Sequence, residues 1–158
     1  MTHARTPHFG ALSDARSRAL VARNNVGRFA YSFRDRVDIR PLHYVYDAGW
    51  IFGRTSVGSK LTMLAHQPWC AFEVDEVRGV LDWDSVVGHG HFEILDPETG
   101  SPDRYARALE LLERLVPGTL APEDPAPARS ILFGIYLADI AGRSAREHDR
   151  SRRIRSPA

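Results

Sequence analysis

Lysine and cysteine are nearly absent from this sequence. Of its 21 residues of the Lys and Arg types, only Lys60 is a lysine. Cys70 is its one cysteine, which excludes an internal disulfide and agrees with a reducing compartment. No apolar run approaches the roughly 20 residues that span a bilayer, and the N-terminal segment lacks the apolar core of a secretory signal. We therefore expect a cytoplasmic protein that does not enter a membrane.

The sequence also has no excess of charge of either sign. The chain has 21 Lys and Arg against 20 Asp and Glu, a net charge of +1, so its composition does not indicate nucleic-acid binding. Its 158 residues are 43% hydrophobic, which is enough for one domain with a real core. We expect a disordered N-terminus over residues 1–12, one folded domain over 13–142, and a basic, flexible tail over 143–158.

The periodicity of apolar residues predicts a mainly β fold. Six strands are predicted, over residues 26–33, 39–47, 50–56, 69–77, 83–95 and 129–142. Ser13 and Ser101 are candidate N-caps of two helices, and a short third helix is predicted after Gly58. Strands joined by short turns are typical of an antiparallel barrel with flanking helices, not of a parallel sheet with crossover helices.

The lone lysine lies between a predicted strand and a predicted helix, in the stretch TSVGSK. Three hydroxyl groups surround it, on Thr55, Ser56 and Ser59. Gly58 lets the backbone approach a ligand, and a helix N-terminus presents free N–H groups and the positive end of its dipole. Together with Lys60 these groups predict a site for a phosphate or a carboxylate. A serine cap followed by a solvent-exposed lysine would give the same letters.

Several motifs, in order along the chain, resemble one known family. They are VGRFAYS, IRPLHYVYD, TSVGSKLTML, PWCAFEV, WDSVVGHGHFEIL and LFGIYLADIAGR. Their order and spacing resemble the pyridoxamine 5′-phosphate oxidase-like, FMN-binding split-barrel superfamily, and within it the small nitroimidazole-resistance branch. The resemblance covers about residues 13–142. It implies a six-stranded antiparallel split barrel, an FMN cofactor, and a homodimer with the cofactor at the subunit interface.

The resemblance also implies which residues hold FMN. The phosphate would lie on the turn that contains Thr55, Ser56, Ser59 and Lys60. The isoalloxazine ring would lie along the second strand, beside Arg40, Pro41, Leu42, His43 and Tyr44. The partner subunit would contribute Trp83, Ser85 and Val86. Of the alternating side chains in the second strand, we expect His43 rather than Leu42 to face the flavin.

The implied activity is that of a flavin oxidoreductase acting on an unknown small organic substrate, although no side chain stands out as a catalytic acid or base. The alternatives are a flavin or haem binding protein without turnover, and an F420-dependent reductase whose phosphate would use the Lys60 site. His89 and His91 lie two residues apart without an evident third ligand, so we predict no metal site. The letters REHDR, residues 146–150, match a run in the longer oxidases, but they lie in the predicted tail, which favours coincidence.

Overall fold

The computed structural model describes residues 6–148. In chain order its elements are β1 (Thr6–Leu12), α1 (Asp14–Arg23), β2 (Val26–Phe33), β3 (Arg36–His43), β4 (Val45–Asp47), β5 (Trp50–Thr55), α2 (Ser59–His66), β6 (Trp69–Gly79), β7 (Asp82–Ile94), α3 (Pro102–Leu115) and β8 (Ile131–His148). None of the helices in this described part is long and apolar enough to cross a membrane.

The eight strands form one antiparallel sheet that is rolled but not closed. Its order is β3-β2-β6-β7-β8-β5-β4, and β1 pairs separately with β8. One edge of β8 pairs with β7, while β5 and β1 pair with opposite ends of its other edge. β3 and β5 approach each other, but the described strands form no ladder between them. The expected antiparallel split barrel with flanking helices is confirmed, and its opening lies beside β3 and β5.

Aromatic side chains fill the inside of this barrel. The ring of Phe133 in β8 stacks on Phe92 of β7 at 4.8 Å between centroids, and Phe29 of β2 lies 6.2 Å from Phe133. α1 packs its buried Leu20 and Val21 against this core. A second cluster joins α3 to the strands and contains Val45, Phe52, Leu95, Ala108, Leu112 and Leu132. Burial of these side chains is the main favourable contribution to folding.

The helix starts agree with the sequence. Ser13 accepts a hydrogen bond from the Arg16 N–H at 3.2 Å, and Ser101 accepts one from the Arg104 N–H at 3.3 Å. Such N-cap bonds typically stabilise a helix by about 1 kcal/mol. The predicted caps of α1 and α3 and the short helix after Gly58 are therefore confirmed.

The predicted ends of the folded domain are wrong. Residues 6–12, expected to be disordered, form β1, which pairs with residues 142–148 at the end of β8. β8 therefore continues well into the segment that was predicted to be a flexible tail. This ladder gives the backbone N–H and C=O groups of both segments their hydrogen-bond partners. The strand was missed because β1 shows little of the apolar alternation that identifies a strand in a sequence.

The predicted strand over residues 39–47 is in fact two strands. β3 begins earlier, at Arg36, and β4 begins after Tyr44. At Tyr44 the chain changes its ladder partner from β2 to β5. The Tyr44 N–H donates to the Asn25 carbonyl at 2.9 Å, and its hydroxyl donates to the Val21 carbonyl at 2.6 Å. With β1 and this division, the part of the chain that the structure describes contains eight strands rather than the six predicted.

Candidate functional site

The sequence around the lone lysine forms the turn between β5 and α2. β5 ends at Thr55, whose side chain is buried, and α2 begins at Ser59. Gly58 occupies the N-cap position in an extended conformation and gives the helix no side-chain cap. Because the first turn of α2 also lacks an acidic residue, the positive end of the helix dipole is not compensated within the helix.

A cavity of about 350 Å³ opens beside this turn. Its walls come from β2, β3, the turn and α2. The lining residues are Tyr31, Arg36, Asp38, Arg40, Thr55, Ser56, Val57, Gly58, Ser59, Lys60 and Met63. Three cations and several hydroxyl donors thus surround a helix N-terminus, with one carboxylate among them. This set of groups is suited to an anion such as a phosphate.

Lys60 is half-buried in this cavity wall. Its Nζ lies 5.5 Å from the centre of the Phe29 ring, and it forms no ion pair with a carboxylate within residues 6–148. Burial lowers the pKa of Lys60, and the positive charges of Arg40 and Arg129 lower it further. A bound anion would therefore relieve a repulsion that the protein does not neutralise by itself.

Asp38 is the acidic residue of the cavity wall. Its carboxylate lies 3.8 Å from both Arg36 and Arg40. These distances exceed those of a direct hydrogen bond, so the pairing is loose. Asp38 therefore offsets part of the charge of the two arginines but does not pair with Lys60.

The structure brings together several of the residues that the sequence predicted to hold a phosphate. They are Thr55, Ser56, Ser59 and Lys60, and the same cavity also contains Arg40, which was predicted to lie beside the isoalloxazine ring. Sequence reasoning missed Arg36 and Asp38, which share a face of β3 with Arg40 because alternate residues of a strand point to the same side. The alternation would have identified them, but the strand was predicted to begin only at residue 39.

The other predicted residues of this segment point elsewhere. Arg40 and Leu42 share the inner face of β3, where Leu42 packs against the core, while Pro41 and His43 are exposed on the outer face. His43 therefore does not line this cavity, and its position beside the flavin stays a prediction. Tyr44 is fully buried, and this burial raises the pKa of its hydroxyl. Its side chain belongs to the core and does not reach the cavity.

The residues predicted to act from the partner subunit lie on β7, away from the cavity. The side chain of Val86 is enclosed in the core, so a contribution of Val86 to a second chain's site would come from its backbone and stays a prediction. Ser85 donates to the Glu73 carboxylate at 3.2 Å, and the Trp83 ring lies 6.3 Å from the Phe9 ring. Ser85 and Trp83 are only partly buried, and their contribution to a partner's site stays a prediction.

Two other residues singled out in the sequence, His89 and Arg146, each pair with a carboxylate. The Nδ1 atom of His89 lies 2.7 Å from the Asp139 carboxylate, and no group of three His, Cys, Asp or Glu side chains in the described part could hold a metal ion. Arg146, at the start of the REHDR run, forms hydrogen bonds of 2.7 and 2.8 Å with the carboxylate of Asp84. It thereby ties the end of β8 to β7, while residues 149–150 of the run lie outside the described residues.

Comparison with known proteins identifies relatives of this fold. Residues 13–146 match the family model described as pyridoxamine 5′-phosphate oxidase. No curated protein matches the chain. A solved FAD-binding protein from Mesorhizobium loti is 24% identical, with 85% of this chain and 96% of that chain covered and a TM-score of 0.70.

Two other solved structures share the fold at lower identity. A proposed 5-nitroimidazole antibiotic resistance protein from Bacteroides thetaiotaomicron is 12% identical, with 89% of this chain and 90% of that chain covered and a TM-score of 0.68. The flavocytochrome Anf3 from Azotobacter vinelandii is 15% identical, with 90% and 73% covered and a TM-score of 0.63. At these identities the likeness establishes the fold.

Proposed function

Since the chain belongs to the pyridoxamine 5′-phosphate oxidase family, we propose that it binds the flavin FMN and is an oxidoreductase acting on a small organic substrate. The observation that carries this proposal is the cavity at the start of α2, where Lys60, Arg40 and three hydroxyl-bearing residues meet. The proposal also agrees with the relatives, since one is named an FAD-binding protein and another a flavocytochrome.

The residues of the cavity fit the phosphate of FMN. A phosphate monoester carries close to two negative charges near neutral pH and accepts hydrogen bonds on three oxygens. Lys60 and Arg40 supply two cations, and Ser56, Ser59 and Thr55 supply hydroxyl donors. The uncapped N–H groups at the start of α2 add further donors.

The isoalloxazine would extend from the phosphate towards the opening between β3 and β5. There the free edge of β3 offers backbone N–H and C=O groups that can pair with the polar edge of the ring. When bound, the flavin would supply the redox chemistry, because such cofactors carry reactions that side chains cannot. The role of the chain is then to bind and orient the ring and to leave room for an organic acceptor.

We further propose a homodimer that completes this site. Large apolar side chains are exposed beside the opening, with Ile39 at 63% and Val37 at 74% on the outer face of β3 and Val57 at 80% in the turn. Exposed apolar patches of this kind favour association. A second chain would cover them together with the ring. The buried, unpaired Cys70 fits the cytoplasmic location proposed with this function.

The test is to purify the protein and to titrate it with FMN and riboflavin, following the flavin absorbance and fluorescence. FMN should bind at least tenfold more tightly than riboflavin, because a charge-assisted hydrogen bond to phosphate contributes about 1.5–3 kcal/mol. Light scattering should report a dimer in the loaded state. Equal affinity for both ligands would refute the phosphate site.

The same preparation distinguishes the alternative cofactors. A Soret band after addition of haem, or binding of F420 in preference to FMN, would replace the flavin proposal by the corresponding one. Oxidation of a reduced nicotinamide donor by the FMN-loaded protein, with an added quinone or nitroaromatic acceptor, tests turnover. A protein that holds FMN but transfers electrons to no acceptor would be a flavin binding protein and not an oxidoreductase.

A further inference from the structure

The loop between α3 and β8 is fixed to the strand that carries the cavity. Asp124 of this loop receives hydrogen bonds of 2.7 and 2.6 Å from both terminal nitrogens of Arg54, and both side chains are almost completely buried. Asp124 also accepts the backbone N–H groups of Leu120 and Ala126 at 2.9 and 2.8 Å. These hydrogen bonds hold the pKa of Asp124 well below its usual range, and those from Arg54 have the largest effect. The loop is therefore positioned by a buried, fully hydrogen-bonded ion pair.

This ion pair sets where Arg129 lies. Arg54 donates a third hydrogen bond, at 3.0 Å, to the Ala126 carbonyl, and that same carbonyl accepts a hydrogen bond from the Arg129 N–H at 3.0 Å. Two residues later, Ile131 pairs with Thr55 of the cavity wall. The backbone of Arg129 is thus tied to the end of β5, at the point where the chain enters the turn that carries Lys60.

The side chain of Arg129 has no partner of its own within residues 6–148. It is exposed and forms no ion pair with a carboxylate of the described chain. Arg129 does not line the cavity of the free protein, but its backbone lies two residues before the partner of Thr55, and its positive charge contributes to the lowered pKa of Lys60. An unpaired arginine this close to a cluster of cations is unfavourable without a ligand, since like charges repel at short range.

We propose that Arg129 is a further phosphate-binding residue of this cavity, and that the Arg54–Asp124 ion pair positions it there. This inference rests on the proposed function and goes beyond it, because neither Arg129 nor its anchor belongs to the motif around Lys60. A planar guanidinium binds a phosphate through two parallel hydrogen bonds, which a lysine cannot do. From its place before β8, the side chain of Arg129 would approach a bound phosphate from the side of the cavity opposite β3.

The decisive comparison uses FMN and riboflavin, which differ only in the phosphate. Arg129→Ala should weaken FMN binding about tenfold or more and leave riboflavin binding unchanged, as expected for loss of a charge-assisted hydrogen bond. Arg16→Ala is the matched control, since it removes the same charge from an exposed position on α1. If Arg129→Ala and Arg16→Ala bind FMN equally well, Arg129 does not contact the phosphate.

The positioning role has its own test. Asp124→Asn should also weaken FMN binding selectively, and adding it to Arg129→Ala should cause no further loss, because both changes remove the same contact. Additive losses, or an equal loss of riboflavin affinity, would show that Asp124 acts only on the fold. The Arg129 variant remains informative if the Asp124 variant does not fold.

A failure of the proposed flavin binding can be distinguished from a failure of the Arg129 assignment. If the wild-type protein binds neither flavin, the same variants are compared by thermal unfolding in added inorganic phosphate. Phosphate should then raise the Tm of the wild type and of Arg16→Ala more than that of Arg129→Ala. Equal shifts in all three proteins, or no shift in the wild type, would overturn the assignment of Arg129.

Discussion

Replacement of Lys60 by methionine should stabilise the protein without its ligand while weakening its binding of FMN. Methionine has a similar length and flexibility, so Lys60→Met removes the charge with little change in packing. In the free protein this charge is half-buried and lies close to Arg40 and Arg129, which together with burial lower its pKa. The attraction between Lys60 and the Phe29 ring, whose centre lies 5.5 Å from Nζ, opposes these effects.

The two effects have different sizes. Loss of the charge-assisted hydrogen bond to phosphate costs about 1.5–3 kcal/mol, which corresponds to roughly a ten- to hundredfold weaker affinity for FMN. Relief of the charge crowding belongs to the class of functional-site changes that raise stability by about 0.5–2 kcal/mol. For a protein of this size, about 1 kcal/mol moves the Tm by about 2–4 °C.

The pH dependence gives an independent signature. The pKa of Lys60 in the folded chain lies below its ordinary value of 10.5, so the unfolded chain binds the proton more tightly. Stability of the free wild-type protein should therefore rise as pH increases from the folded pKa towards 10.5. This rise should be absent in Lys60→Met.

Three measurements test this reasoning: thermal unfolding without ligand, thermal unfolding at alkaline pH, and an FMN titration. Lys60→Arg serves as the control that keeps the charge, and it should retain most of the preference for FMN over riboflavin. A Lys60→Met protein that is less stable without ligand, or that binds FMN as tightly as the wild type, would contradict the assignment of Lys60 as an uncompensated phosphate-binding cation.

Other substitutions test the charge of the cavity, the sheet and the surface ion pairs. Asp38→Asn should tighten FMN binding by about 1 kcal/mol and leave riboflavin unaffected, because the carboxylate repels a phosphate at short range; weaker binding would mean that Asp38 mainly orients the arginines. Gly90→Ala should lower stability by about 1–3 kcal/mol in urea unfolding, since its new Cβ would clash with the backbone oxygen of Tyr136 in β8. Gly58→Ala, whose Cβ meets nothing within 4 Å, should leave the Tm unchanged, and equal losses in the two variants would refute the packing argument. Arg23 holds the pKa of Glu76 at about 2 instead of 4.5, a contribution to stability that is present above pH 4.5 and is lost as pH falls towards 2. Glu76→Gln should flatten that part of the stability curve, with a loss near neutral pH below about 1 kcal/mol because the pair is partly exposed; parallel curves would show that the pair contributes nothing.

The local features of the chain could be predicted because they depend on neighbouring residues. Ser13 and Ser101 cap helices through bonds that span three residues. The alternation in residues 26–33 and 83–95 predicted strands that the structure contains almost at the same bounds. The turn around Lys60 was found because hydroxyls, a glycine and a cation adjoin one another in the sequence.

Contacts between distant segments of the chain determined the remaining features of the fold and of the cavity. β1 exists because β8 offers it an unpaired edge, and neither segment shows this in its own residues. Alternation separated Arg40 from His43 on β3, but only packing against the core determined which of the two faces the cavity. Arg36, Asp38 and Arg129 reach the neighbourhood of Lys60 from other segments of the chain. The sequence by itself therefore determined the strands, the caps and the cation that marks the site, because those depend on period and on adjacent groups. Which residues surround that cation depends on strand register and on the way the sheet curls, and these are fixed only when distant segments pair.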